Sequence, residues 1–304
     1  MKNTKLQFIS IILLIGLQAI LNAGCELYEQ DEYRELVQVE SYLVEGRQLP
    51  VVRVSRTLPI DVEYTFENAA LSGAIITISL LDENGEAEEI FPYLAGAASG
   101  IYIPLDQTHI VEARRSYRID VSFNNRDEQL TAVTTVPDQI QVINDVRESV
   151  VYQSEEQLEI VLAPTVQTQD QNVFVFDALA RNPAFESLTP FYLSVVTDGD
   201  AEIEDFFSNS SGLINEGNFD IMADGTISLN FPWIGAAFYG ETTVVTNSVD
   251  RNVAELLRSQ EVQLGGSTLS PGEIPNLRYN IEGGIGVFGS ISSDSVVTNF
   301  LRPQ

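Results

Sequence analysis

The chain has 304 residues, of which 44 % are hydrophobic, and it includes 15 Phe and 11 Tyr. That apolar content is enough for a packed core and excludes an intrinsically disordered chain. The formal net charge of −28 repels phosphate backbones, so the composition also excludes nucleic-acid binding as the function.

Residues 1–24 have the layout of a secretory signal peptide. Lys2 and Lys5 supply a positive start, and a mostly apolar run from residue 8 to residue 20 follows it. The run is shorter than the roughly 20 residues that a membrane-spanning helix needs. Small residues then lead to Cys25, the only cysteine of the chain. We expect residues 1–24 to be removed from the mature protein.

Cys25 is the predicted site of lipid attachment. A cysteine directly after Ala23 and Gly24 resembles the bacterial lipobox, in which the thiol is acylated and becomes the new N-terminus. The third position before the cysteine is usually Leu; here it is Asn22, and Leu21 lies one residue further back. A lone thiol cannot form an internal disulfide, so another role is expected. Ordinary secretion, or a signal anchor with Cys25 as a bystander, is the alternative.

Residues 25–36 are polar and acidic, which indicates a tether. Glu26, Glu29, Asp31 and Glu32 follow the cysteine, and acidic residues there look like the signals that send lipoproteins of Bacteroidetes-type bacteria to the cell surface. Several acyl chains hold a protein to a membrane, whereas anionic lipid would repel so acidic a surface. We therefore predict a lipid-anchored protein of the outer membrane, exposed at the surface.

Residues 37–137 predict an immunoglobulin-like β-sandwich. Apolar and polar residues alternate at strand period in short segments, most clearly at 74–80 and 117–123. Asn84-Gly85 is a hairpin signal, and Pro137 ends the last strand of this half. Short strands separated by turns, without a helical pattern, favour a sandwich.

Residues 138–304 predict a second β-rich domain with one short helix. Apolar residues at 249, 253, 256 and 257 have helical spacing, with Ser248 or Asp250 as the cap and Gly265-Gly266 as the end. The stretch 198–225 is acidic and rich in Gly, Ser and Asn, which predicts a long irregular excursion. The predicted strands lie at 158–162, 173–176, 191–196 and 227–231.

Four acidic residues, Asp198, Asp200, Glu202 and Glu204, recur at every second position. On an extended chain they would share one face, where Ca²⁺ could bind to their oxygens. The alternative is a solvated acidic loop, and the missing EF-hand glycine favours it. Apart from the lipid on Cys25, we therefore expect no metal or other cofactor.

Trp233 and Tyr239 are the candidate ligand-binding aromatics. They lie close in sequence to Phe231 and Phe238, and together they could form a platform on which a sugar stacks. Aromatic residues around a proline, here Pro232, more often pack into a core or a loop.

Catalytic chemistry has little support in the sequence. His109 is the only histidine, so a Ser-His-Asp triad would depend on it, and a zinc site lacks ligands. No carboxylate pair stands out for glycoside hydrolysis. The glycines between Gly283 and Gly289 lack the Lys-Ser/Thr of a phosphate loop and indicate a crowded strand and bulge instead. We predict that the protein is not an enzyme.

A set of short motifs in a fixed order resembles a known family. The lipobox-like segment is followed by residues 39–46, 54–57, 73–78, 100–102 and the Gly-rich run 280–289. Together they are similar to the Bacteroidetes-type lipoproteins of domain of unknown function forty-two forty-nine. Such proteins are typically encoded beside TonB-dependent outer-membrane receptors, and the family offers no catalytic residues to transfer.

The resemblance implies an accessory role in nutrient uptake. We expect a non-catalytic lipoprotein that binds an extracellular nutrient or polymer, or helps a TonB-dependent receptor to bind it. The alternative is a structural or adhesive surface protein whose β-sandwich domains present loops, and a hydrolase is a distant third.

Overall fold

The computed structural model describes residues 33–169, 171–264 and 277–303. The chain divides into two compact units, Met1–Glu35, of which only residues 33–35 are described, and Leu36–Gln304. The predicted signal peptide, Cys25 and Gly265-Gly266 lie outside the described residues. Within the described ranges, no helix combines the length and the apolar character needed to cross a bilayer.

The larger unit is mainly β, as the alternation of its residues predicted. In the described residues of its first half, the chain forms seven strands and one short helix: β1 Val37–Val44, β2 Val52–Arg56, α1 Phe66–Ala69, β3 Ala74–Leu81, β4 Ala87–Ala95, β5 Ile101–Pro104, β6 Ser116–Phe123 and β7 Gln129–Thr135. The second half holds β8 Ser149–Val151, β9 Glu159–Leu162, β10 Val173–Ala180, α2 Pro190–Asp198, β11 Ser208–Asn215, β12 Asp220–Ile221, β13 Ile227–Asn230, β14 Gly240–Val249, α3 Arg251–Leu264 and β15 Ile285–Leu301.

The strands form one large and one small sheet. The large sheet runs in the order β11-β10-β14-β15-β1-β2-β5-β4-β3-β6-β7, and β8 pairs with β15. The small sheet has the order β12-β13-β9. Most neighbours are antiparallel, but β1 and β15 pair in parallel. A parallel pair needs a long connection, and here most of the chain supplies it.

Among the described residues of the unit, the two largest hydrophobic cores lie one in each half, and two smaller clusters lie under α3 and α2. In the first, β1 and β2 contribute Val39 and Val54, and β3 and β6 contribute Ile78 and Ile119, all fully buried. In the second, Leu158 packs with residues of β9, β10, β13 and β14, among them Ile160, Phe174, Phe176, Leu229 and Val244. Each core thus lies between layers of strands, in the manner expected of a β-sandwich.

β15 belongs to both cores. Its first residues pair with β1 as far as Ile291, and from Ile291 onward it pairs with β14. Phe288 lies in the first core and Phe300 in the second. The predicted boundary at Pro137 falls where the chain leaves one core for the other, but a shared strand joins the two halves. The division of the chain into two separable domains stays a prediction.

The predicted strand at residues 191–196 is wrong, because this segment lies in α2. Pro190 fits the first helical turn, where its missing N–H is not needed, and Gly199 ends the helix in the left-handed conformation with φ of 78°. The prediction of a wholly irregular stretch at 198–225 is also wrong, since it contains β11. That strand, rich in Ser and Asn, pairs with β10 at the edge of the sheet. Tertiary pairing overrides its weak strand propensity.

The predicted helix near Asp250 is confirmed as α3. The Asp250 carboxylate accepts a hydrogen bond of 2.9 Å from the backbone N–H of Val253, which is the geometry of an N-cap. Val253 and Leu256 are buried, as their spacing predicted. The helix is therefore held against the sheet by one apolar face and by its capped start.

Candidate functional site

An open groove lies on the outer face of β3, β6 and β7. Strand alternation turns one set of side chains into the first core and the other set outward. The outward residues, with one wall from the segment before β15, enclose a cavity of about 600 Å³, a size that suits a small ligand. The lining residues are Ile75, Thr77, Asp120, Val121, Ser122, Gln129, Leu130, Thr131, Glu282 and Gly283.

The strand register arranges the polar lining in two rows. In one row Thr77 lies opposite Asp120, Asp120 opposite Thr131, and Thr131 opposite Glu282. In the other, Ile75, Ser122 and Gln129 follow each other across the same three strands. Neighbouring strands are about 4.8 Å apart, and alternate residues along a strand are about 7 Å apart. The groove floor is therefore a regular grid of hydroxyl, amide and carboxyl groups.

The wall of the groove depends on Gly283. Its φ of +83° is left-handed, and a Cβ at this position would collide with the carbonyl oxygen of Gln129. This close approach lets Glu282 and Thr131 exchange two backbone hydrogen bonds, of 2.9 and 3.2 Å. The interpretation of the Gly-rich run as a place where backbones approach closely is confirmed.

Asp120 is held in place by its neighbours, whereas four other polar side chains of the lining are not. The carboxylate of Asp120 accepts hydrogen bonds of 2.9 Å from Nε of Arg118 and from the hydroxyl of Thr131. Within the described residues, no hydrogen bond or ion pair holds the side chains of Thr77, Ser122, Gln129 and Glu282. Asp120 is a fixed acceptor, and these four groups are available to a ligand.

Sequence reasoning did not select the groove as a site. The alternation correctly placed Thr77, Asp120 and Ser122 on polar faces of two strands. The alternation did not show which of these residues lie opposite each other on neighbouring strands. It also did not show that Glu282, far along the chain, lies beside Thr131. The signal that was present is the Gly-rich run, whose first residues form the wall.

The extended acidic face, which was the less favoured alternative for residues 198–204, does not form. Asp198 is the last residue of α2, Gly199 turns the chain, and Glu202 begins a 3₁₀ turn in which its N–H donates to Asp205 at 3.0 Å. The four candidate cation ligands therefore do not share one strand face. Among the described residues, no group of three or more His, Cys, Asp or Glu side chains is placed to hold a metal ion.

Trp233 and Tyr239 both pack against Tyr152. The ring centroids are 5.6 Å apart for Trp233 and 5.5 Å for Tyr239, and both contacts are edge-on. The guanidinium of Arg302 lies over the ring of Tyr239 at 4.6 Å. Both residues are half-buried at the margin of the second core, and this geometry favours the packing alternative. A ligand-stacking role for them stays a prediction.

The side chain of His109 is held by contacts with residues in the first half of the chain. Its Nε2 lies 3.0 Å from the hydroxyl of Tyr117, and its ring centroid lies 4.2 Å from that of Phe91. The Tyr117 oxygen also accepts the N–H of Glu112, so its own proton is free to go to His109. Burial raises the pKa of Tyr117 and keeps it in the protonated form that this bond requires. These contacts include no serine that His109 could activate.

A buried polar cluster joins α3, β7 and β15. The hydroxyl of Thr134 donates to Asp250 at 2.6 Å and lies 2.7 Å from that of Ser290. The backbone N–H of Asp250 donates to the carbonyl of Ser290 at 3.0 Å. Burial raises the pKa of Asp250 to about 6, although its hydrogen bonds act in the opposite direction. All three side chains are buried, and their hydrogen bonds join the start of α3 to β7 and β15.

Comparison with known proteins gives a family and no activity. The model of a family described as "Domain of unknown function (DUF4249)" matches residues 26–296. No curated protein matches the chain.

Several solved structures show a faint likeness. A tetra-tandem repeat from the extending region of a large adhesion protein is 15 % identical with a TM-score of 0.22, over 88 % of this chain and 49 % of that chain. Three N-terminal domains of the bacteriophage RB49 Highly Immunogenic Outer Capsid protein (Hoc) are 12 % identical with a TM-score of 0.22, over 89 % and 71 %. Salmonella alpha-2-macroglobulin reacted with methylamine is 8 % identical with a TM-score of 0.23, over 88 % and 15 %.

The chain spans about half of the adhesion-protein structure and a small fraction of the macroglobulin. Likenesses with TM-scores this low carry no argument about function.

Proposed function

We propose a function from the premise that this chain belongs to the family described as Domain of unknown function (DUF4249). The function proposed is that of a lipid-anchored surface protein that binds an extracellular ligand without transforming it. In this proposal it is an accessory component of a TonB-dependent uptake system. The observation that carries the proposal is the groove, an open cavity of about 600 Å³ whose lining includes polar side chains that no described residue binds.

The position of the groove supports a binding role. It lies on the outer face of strands whose inner face packs into the first core, so its floor is supported by paired strands and by buried side chains. Ligand sites built on strands keep their geometry better than sites on loops. The contacts of His109 support the non-catalytic part of the proposal. They are made with Tyr117, Phe91 and Glu89, and they include no serine.

The anchor part of the proposal rests on the sequence before the described unit. The layout of residues 1–24 and the position of Cys25 indicate export and lipid attachment. At the start of the unit, Leu36 and Thr57 exchange two hydrogen bonds of 3.0 Å, and β1 follows directly. These bonds fix the first residue of the larger unit directly before β1.

Extraction with a mild detergent tests the uptake part of the proposal. The protein, purified from its own membranes with its anchor intact, is expected to bring a TonB-dependent barrel receptor with it. The co-purifying chains are identified by mass spectrometry. Recovery of the protein without such a receptor, together with association between its own copies, would favour the structural or adhesive alternative.

Replacing Cys25 by serine tests the anchor. Because serine cannot carry the thioether-linked lipid, we expect Cys25→Ser to move to the soluble fraction or to remain as the unprocessed precursor. Fractionation and the intact mass of the protein provide the readout. Asn22→Leu is the matched variant, since it restores the usual lipobox residue and should keep or increase processing. Membrane fractionation and mass that are the same in Cys25→Ser as in the wild type would refute lipidation.

A further inference from the structure

The groove offers a ligand both donors and acceptors. Thr77 and Ser122 have hydroxyls, which act in both senses, and Gln129 has an amide with two donors and an acceptor oxygen. Glu282 adds a carboxylate, a strong acceptor for hydroxyl groups, and Asp120 adds a second one with a fixed orientation. A ligand that satisfies such a set must carry groups that both donate and accept.

The charge of the lining narrows the ligand further. It contains two carboxylates and no Lys, Arg or His side chain. Arg118 lies on the same strand as Asp120 and is engaged by it. An anionic ligand would enter a negative groove on a protein whose net charge is −28, which costs Coulomb energy. Phosphates, sulfates and carboxylates are therefore poor ligands for this site.

An exposed apolar side chain completes the groove, beside the buried Val121 and Leu130 of its lining. Ile75 is 49 % exposed and stands in the same row as Ser122 and Gln129. A flat ligand with hydroxyls at its edge and C–H groups on its face would bury Ile75 while its hydroxyls reach the two polar rows. The grid spacing of about 4.8 by 7 Å allows several such groups to be met at once.

We propose that this groove binds a neutral polyhydroxylated ligand, a segment of an oligosaccharide chain. The inference rests on the proposed function and names the ligand class of its groove. Thr77, Ser122 and Gln129 bind hydroxyls of the ligand, Glu282 accepts from them at the wall, and Ile75 covers a C–H face.

The test measures binding of named probes to the purified mature protein in detergent. The probes are neutral tetrasaccharides of glucose in α and β linkage, of xylose, of mannose and of N-acetylglucosamine, each at concentrations up to about 10 mM, since single weak sites bind in the millimolar range or better. Isothermal titration calorimetry gives the Kd. We expect at least one probe to bind, and Gln129→Ala and Glu282→Gln each to weaken it tenfold or more.

Two control variants make the same kinds of substitution, Gln→Ala and acid→amide, at exposed positions outside the groove. Gln107→Ala removes an exposed glutamine from the loop after β5, and Asp200→Asn removes an exposed acid outside the groove. Both should leave the Kd unchanged. Thermal melts of all four variants show whether each is folded before its binding is interpreted.

Two comparator probes define the outcomes that overturn the ligand class. Spermine tests a cationic ligand, and inorganic phosphate tests an anionic one. One contrary outcome is that no saccharide binds, whereas spermine or phosphate does and loses its binding in Glu282→Gln or Gln129→Ala. The ligand would then be cationic or anionic and not a saccharide, and the binding role of the groove would stand. If no probe binds and all variants behave alike, the groove is not a ligand site. In both cases the receptor co-purification and the Cys25→Ser result stand independently.

Discussion

Gly286→Ala is expected to lower the free energy of unfolding by about 4 kcal/mol, from roughly 1–3 kcal/mol of backbone strain and roughly 1–3 kcal/mol of overpacking. Gly286 has a φ of +115° and pairs with Val39 of β1 in the centre of the large sheet. A Cβ would collide with the carbonyl oxygen of Val39 and lie 2.9 Å from its carbonyl carbon. Backbone in a central strand cannot move aside as a flexible side chain can.

Gly240→Ala is the matched control for Gly286→Ala. Its φ of +113° is nearly the same, and a Cβ there meets nothing within 4 Å. The control therefore carries the backbone strain without the collision, and we expect it to cost only that strain, roughly 1–3 kcal/mol. Equal losses in the two variants would show that the close approach of β1 to β15 contributes nothing.

Two signals in the same denaturation experiment report on the two halves. Trp233 is the only tryptophan of the chain and lies at the margin of the second core, whereas Gly286 adjoins the first. Circular dichroism follows all strands. If β15 couples the cores, Gly286→Ala should shift the tryptophan transition and the circular dichroism transition together. Separate transitions would show that the halves unfold independently, as the predicted boundary at Pro137 implies.

Asp250→Asn is expected to gain stability relative to the wild type as the pH rises. Burial raises the pKa of Asp250 from 3.8 to about 6, so the folded state holds its proton more tightly than the unfolded state does. The stability from this group is complete below pH 3.8 and is lost as the pH rises through about 6. Asparagine does not ionise, so the difference between variant and wild type should grow by about 2 kcal/mol from pH 4 to pH 7.

Asp250→Ala separates the charge from the hydrogen bonds. It leaves the N–H of Val253 and the hydroxyl of Thr134 without their acceptor, and we expect a loss of about 2–4 kcal/mol at pH 4, where the charge is absent. Urea denaturation at a series of pH values measures both variants, with the exposed Asp200→Asn as the control that should follow the wild type. Parallel curves for Asp250→Asn and wild type across this range would contradict the buried ionisation.

Local patterns in the sequence predicted most of the elements, because their causes are local. The alternation at 117–123 reappears as β6, with Tyr117, Ile119 and Val121 in the core. The spacing before Leu257, with Asp250 as the cap, reappears as α3. The apolar run at residues 191–196 shows neither a clear strand period nor a clear helix period. Pro190 at its start and Gly199 after its end favour the helix that forms.

The groove depends on contacts between residues far apart in sequence, and these were not predictable from one chain. Thr77, Asp120 and Thr131 come from three strands whose register no local pattern specifies. Glu282 joins them only because Gly283 allows its backbone to approach Gln129. The candidates that the sequence did offer, such as Asp198 and Trp233, were chosen for residue type, and their environment turned out to be a helix end and a packed margin.

The parallel pairing of β1 with β15 sets the order of events during synthesis. Gln38 pairs with Ile285, roughly 250 residues later, and contacts of such separation form late because of the cost of closing the loop. When β1 leaves the ribosome it can pair with β2 at one edge, but its other edge stays open until β15 has been made. A fold closed by one of its last strands therefore cannot be completed until nearly the whole chain has been made.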